Sequence, residues 1–110
     1  MKQLSGYRVM WMMVLFDLPV VEKAERKEAS AFRLFLKDLG FEMAQFSVYI
    51  RHTPGKEAVE AYRKKIESAL PSQGKVDILQ FTDKQYENII SFRGTKRDSP
   101  NQNPEQLLLF

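Results

Sequence analysis

The sequence predicts an α+β fold, one antiparallel sheet carrying two helices on a single face. Three observations lead there. A nearly continuous apolar run, Val9 to Phe16, has no polar alternation and reads as a strand buried on both sides. Two later stretches place apolar residues at helical spacing, and the segment after the first of them switches to a period of two. Finally, Gly40, Pro71 and Gly74 punctuate the chain where helices stop and strands begin.

The first strand ends in Asp17-Leu18-Pro19. An acid at the carboxyl end of a buried strand is held rigidly yet reachable, so Asp17 is a place where a ligand, metal or phosphate could be met. An Asp close before Pro is equally a common strand terminator that bonds nearby amides. Glu22 to Leu39 is the first helix, with Ala24, Ala31, Phe32, Phe35, Leu36 and Leu39 on one arc and Gly40 just past its end. Lys23, Arg26, Arg33 and Lys37 form a stripe on another side, interleaved with Glu22, Glu25 and Glu28 as in a solvated face.

From Phe41 to His52, Phe46, Val48 and Ile50 alternate with Ser47, Tyr49 and Arg51, as one bent strand or as two pinched near Gln45. Thr53 as N-cap and Pro54 at the first position open the second helix, whose apolar set is Ala58, Val59, Tyr62, Ile66, Ala69 and Leu70. Lys75 to Phe81 is the next strand. Thr82-Asp83-Lys84-Gln85 is a capping box that starts a short helical segment, and Asp83 reads as part of that cap. The order is that of the ferredoxin-like split βαβ, over residues 1–92. Residues 93–106 are polar and turn-rich, a linker, and 107–110 (Leu107-Leu108-Leu109-Phe110) form an apolar terminal strand.

Composition narrows the function classes. At 110 residues the chain is one domain. A net charge of +3 suits a polyanionic partner without requiring one. With no cysteine and a single histidine, His52, the sequence excludes disulfides, thiol nucleophiles and histidine-cluster metal sites. The apolar run is too short to cross a bilayer, which leads to the expectation of a soluble, cytoplasmic protein with no membrane partner.

The first strand carries large side chains on both sides: Val9, Trp11, Met13 and Leu15 on one, Met10, Met12, Val14 and Phe16 on the other. Two helices cover one set only. Trp11, Met13 and Leu15 are therefore expected to lack cover within the chain and to form a sheet-to-sheet homodimer interface. The terminal strand is expected to add to a sheet edge of its own or of a second copy. First strands near a twofold axis would bring two Asp17 carboxylates together.

Phe16-Asp17-Leu18-Pro19, Phe32-Arg33-Leu34-Phe35-Leu36, Leu39-Gly40-Phe41, Gln45-Phe46-Ser47-Val48-Tyr49, Gly74-Lys75-Val76 and Thr82-Asp83-Lys84-Gln85, in this order, resemble the small CRISPR adaptation protein of the Cas-two family. The last of these, with the basic segment at Lys96-Arg97, is similar to members from systems with a single large RNA-guided effector nuclease. The resemblance implies a homodimer that bridges dimers of the CRISPR integrase and holds the backbone of a captured spacer duplex. By place, it assigns the phosphate contacts to Lys23, Arg26, Lys27, Lys96 and Arg97. It also implies a rival activity, a metal-dependent endonuclease acting on RNA or duplex DNA with Asp17 as catalytic acid and Mg2+ ligand. No second acid adjoins Asp17 in sequence and His52 has no evident orienting partner, so scaffolding is the favoured reading. A third class, a regulatory ferredoxin-like domain with a ligand at its dimer interface, lacks the Gly-rich or polar loop that it would need between Asp17 and Glu22.

Overall fold

The computed structural model describes residues 9–102. Strand β1 (Met10–Asp17) is followed by helix α1 (Lys23–Asp38), the hairpin β2 (Glu42–Gln45) and β3 (Val48–Thr53), helix α2 (Lys56–Glu67) and strand β4 (Lys75–Thr82). Sheet order is β2-β3-β1-β4, all neighbours antiparallel, with β1 in the interior. This is the ferredoxin-like topology that the element order predicts. No helix among the described residues is long and apolar enough to cross a membrane.

Register divides β1 cleanly. Met10, Met12, Val14 and Phe16 are buried against α1 and α2, in one cluster with Phe32, Leu36, Phe41, Tyr49, Val59 and Ile66. Phe16 meets Phe32 edge-on with ring centroids 5.2 Å apart. The α1 arc is rotated from the expected one: Ala29, Phe32 and Leu36 are buried, whereas Ala24 and Ala31 face solvent. Glu25 Oε1 accepts the backbone N–H groups of Val21 and Glu22, which fixes the start of α1. At its other end Gly40, with φ +88°, turns the chain, and Arg51 donates to the half-buried Leu39 carbonyl.

Two boundaries differ from expectation. Thr53 is not the N-cap of α2 but the last residue of β3. Ladder pairing with Met10 holds it there, and its hydroxyl donates to the Met10 carbonyl at 2.9 Å. The helix starts only after Gly55. Phe41 to His52 resolves into two strands whose partners Gln45 and Val48 flank a two-residue turn, Phe46-Ser47, with Ser47 at φ +65°. Phe46 thereby leaves the alternation and is 77% exposed.

Beyond β4, the capping box forms: Gln85 N donates to Thr82 Oγ1 and Thr82 N to Gln85 Oε1, opening helix α3 (Asp83–Glu87). Residues 92–97 are not simple connecting chain but a small hairpin, β5 (Phe92–Arg93) and β6 (Lys96–Arg97), turned at Gly94. Asn101 Nδ2 donates to the Tyr86 carbonyl, tying the following segment to α3. The expected strand at 107–110 lies outside the described residues.

Candidate functional site

Asp17 stands exposed at the end of β1, directly across from Lys75 of β4. Its surroundings are built by close packing. Gly74, at φ +95°, passes so near that a Cβ placed there would lie 2.6 Å from the Asp17 carbonyl oxygen. On the opposite flank, Phe16 N donates to Ser47 O at 3.1 Å, so the β2–β3 turn is pinned to the last residues of β1. Two depressions meet at Asp17. A shallow one of about 250 Å³ lies on the free sheet face beside Leu15, Val48, Lys75 and Asp77. A larger groove of about 650 Å³ runs on the helix side past Leu18, Arg26, Ser30, Arg33, Phe46 and Ser47.

Of the basic candidates, only Arg26 shares this groove. Its Nη1 donates to the carbonyls of Val20 and Val21, which orients the guanidinium along the β1–α1 connection. Lys23 and Lys27 are exposed in the first turns of α1. Lys96 and Arg97 are exposed on β6 and line neither depression. Arg33, Phe46 and Ser47 do line the larger groove, although alternation over 41–52 places Phe46 and Ser47 inside a strand. The turn that brings them out follows from a backbone conformation that no sequence motif here announces.

The expectation that Trp11 lacks cover within the chain is corrected. Trp11 is 6% exposed. Tyr86 of α3 stacks on it with ring centroids 3.7 Å apart, His52 meets it edge-on at 5.4 Å, and its Nε1 donates to the buried Asp83 carboxylate at 2.7 Å. Asp83 is thus more than a first-turn acid: it satisfies the one polar atom of a buried indole. Burial first, then the charges of Asp83 and Glu42, raise the Tyr86 pKa above its ordinary value. Met13 and Leu15 remain half-buried and line a cleft of about 680 Å³ between the sheet and Ile89, Phe92 and Asn101. Leu79, paired with Met13 across the ladder, is 46% exposed.

This arrangement has clear relatives. The family model described as CRISPR associated protein Cas2 matches residues 10–89. The chain belongs to the Cas2 family. Its matched span runs from the first residue of β1 past the end of α3 and so contains Asp17, both flanks of the groove and the Trp11 seat. A Cas2 of Paracidovorax avenae, named a CRISPR-associated endoribonuclease, is 54% identical over 107 residues, 97% of this chain and 99% of its own length. Proteins of the same name from Flavobacterium psychrophilum and Parvibaculum lavamentivorans are 44% and 41% identical, over 98% and 92% of this chain and 94% and 100% of their own lengths.

Magnesium is the ion that a nuclease reading of this Cas2-family chain requires. Among the described residues no three His, Asp or Glu side chains form a metal-binding group. The carboxylates at the shallow depression are Asp17 and Asp77, and Lys75 Nζ lies 3.7 Å from Asp77 Oδ2. Mg2+ commonly keeps several waters and takes one or two carboxylates together with phosphate oxygens. Asp17 therefore fits as a ligand, and Asp77, only 3.7 Å from an exposed Lys75, is the second carboxylate lining the depression.

Proposed function

We propose that this Cas2-family chain acts in CRISPR adaptation as a scaffold, a homodimer that bridges dimers of the integrase and binds the backbone of spacer duplex DNA. One observation carries the reading. Lys23 and Lys27 on α1, and Lys96 and Arg97 on β6, present exposed cations from secondary structure rather than from a pocket. That is the placement phosphate contacts need, since they follow a duplex track and read no bases. The half-exposed Leu79, beside Met13 and Leu15, gives a second copy apolar surface to cover.

A second reading, metal-dependent endonuclease, is favoured by the names of the relatives and by the exposed Asp17 at a strand end. In it Asp17 would hold Mg2+, which would supply an activated water for phosphodiester hydrolysis. Asp17→Asn separates the two, because it keeps the shape and removes the charge. The purified variant is compared with its parent in spacer integration with the partner integrase and in Mg2+-dependent cleavage of RNA and duplex DNA. Scaffolding predicts that integration survives. Loss of integration in a variant that still dimerises and still binds integrase would refute it.

A further inference from the structure

We propose that Asp77 is a second carboxylate ligand for a divalent cation at Asp17, and that Lys75 is the chain's own competitor for that position, displaced when the metal enters. The inference rests on the endonuclease reading for the identity of the ion, Mg2+. Strand register places the three side chains. Asp17 pairs with Lys75 and Leu15 with Asp77 across the β1–β4 ladder, and residues two apart on a strand point to one side. All three therefore project from the free sheet face, away from α1, and all three line the shallow depression of about 250 Å³. Asp77 is the diagonal neighbour of Asp17. Such neighbours stand about 7–8 Å apart, a gap that two carboxylates with metal bonds of about 2.0–2.1 Å can close on one ion.

A cation is already present there. Lys75 Nζ lies 3.7 Å from Asp77 Oδ2, and the two side chains are 79% and 54% exposed. An exposed pair of this kind is weak and screened by salt, so the ammonium is free to leave. One lysine against two carboxylates also leaves the depression a negative charge in excess. The backbone beneath does not yield: Gly74, directly before Lys75, packs so closely on the Asp17 carbonyl that the two strand ends stay together. Lys75 thereby sets a threshold, because an entering metal has to outcompete an ammonium tethered to the same strand. The pair also fixes the stoichiometry. Two Asp17 carboxylates meeting across a twofold axis would share one ion between two chains, whereas Asp17 with Asp77 holds one ion per chain.

The test uses the full chain without nucleic acid and reads bound Mn2+ by electron paramagnetic resonance, with Mg2+ added to displace it. A unit charge about 5 Å from a divalent ion, partly screened, changes affinity roughly 5- to 20-fold. Asp77→Asn should weaken Mn2+ binding by that factor, and Lys75→Met should tighten it by a similar one. Lys75→Arg keeps the charge and should stay near the parent. Lys56→Met controls for net charge: it follows the Thr53 end of β3, which pairs with Met10 at the opposite end of β1 from Asp17, and should change nothing. Circular dichroism melting verifies that the Asp77 and Lys75 variants are folded, as expected at exposed positions. Those shifts, with one ion per chain, support the proposal. An unchanged Asp77→Asn affinity, equal tightening by Lys75→Met and Lys56→Met, or one ion per two chains would overturn it. Binding that is lost with Asp17→Asn but kept with Asp77→Asn overturns this proposal and leaves the endonuclease reading standing, while a parent that binds no Mn2+ overturns both.

Discussion

Gly74→Ala probes how the strand end that carries Asp17 is held. Two costs add. At φ +95° a side chain meets the left-handed penalty of about 1–2 kcal/mol. The new Cβ would also stand 2.6 Å from the Asp17 carbonyl oxygen and 3.1 Å from Leu18 Cα. Both are backbone atoms that cannot swing aside, and overpacking of this kind costs about 1–3 kcal/mol. The sum, about 2–5 kcal/mol, corresponds to a fall in Tm of about 10 °C or more for a domain of this size. Gly94→Ala is the matched control: its φ is +65° and a Cβ there meets nothing within 4 Å, so only the dihedral part, at most about 2 kcal/mol, applies. Urea denaturation of both variants at constant m-value reads the difference. Equal shifts, or a neutral Gly74→Ala, would refute the claim that close backbone approach fixes the end of β1.

The Trp11 seat gives two further expectations. Asp83→Ala leaves the indole Nε1 buried without a partner and should cost about 1–3 kcal/mol, read by denaturation together with near-ultraviolet circular dichroism. Tyr86 holds its proton above its ordinary pKa of 10.0, so this part of the stability is intact below pH 10.0 and is lost as pH rises through the higher folded value. Tyr86→Phe should flatten that alkaline decline; an unchanged decline would remove Tyr86 as its source. For the duplex track, removing Lys96 and Arg97 together should weaken unrelated duplexes alike and lower the salt slope by roughly one to two units, an unchanged slope excluding them. For association, Leu79→Lys should shift the light-scattering mass from dimer to monomer without unfolding, since Leu79 is 46% exposed; a monomeric parent would contradict the dimer.

The backbone order was readable because each element carries its own local signal. The unbroken apolar run of β1, the arc around Phe32 and Leu36, the glycine stop at Gly40 and the Thr82 capping box all act within a few residues of themselves. What went unread depends on partners distant in the chain. Thr53 has a good N-cap identity, but its pairing with Met10, across 43 positions, keeps it in the sheet. Trp11 looked bare because its cover arrives from Asp83, 72 positions later. Asp17 was legible as a strand end. Its companions were not: alternation continued through the turn would put Phe46 and Ser47 on opposite faces of one strand, and Arg33 reads as part of a solvated helix face. Lys96 and Arg97 lie in a polar, turn-rich stretch whose composition announces a linker, yet they occupy a paired strand.

The cover over Trp11 bears on how this chain survives dilution. A sheet whose whole second face waited for another copy would fold only as fast as it found one, and its stability would rise steeply with concentration. Here α3, a segment directly continuous with β4, closes the Trp11 end of that face within the chain itself. Among the described residues, the part around Leu15 and Leu79 stays partly open on that face. The indole is thus seated without a second copy, so in the proposed dimer assembly would be a separate, later equilibrium from folding.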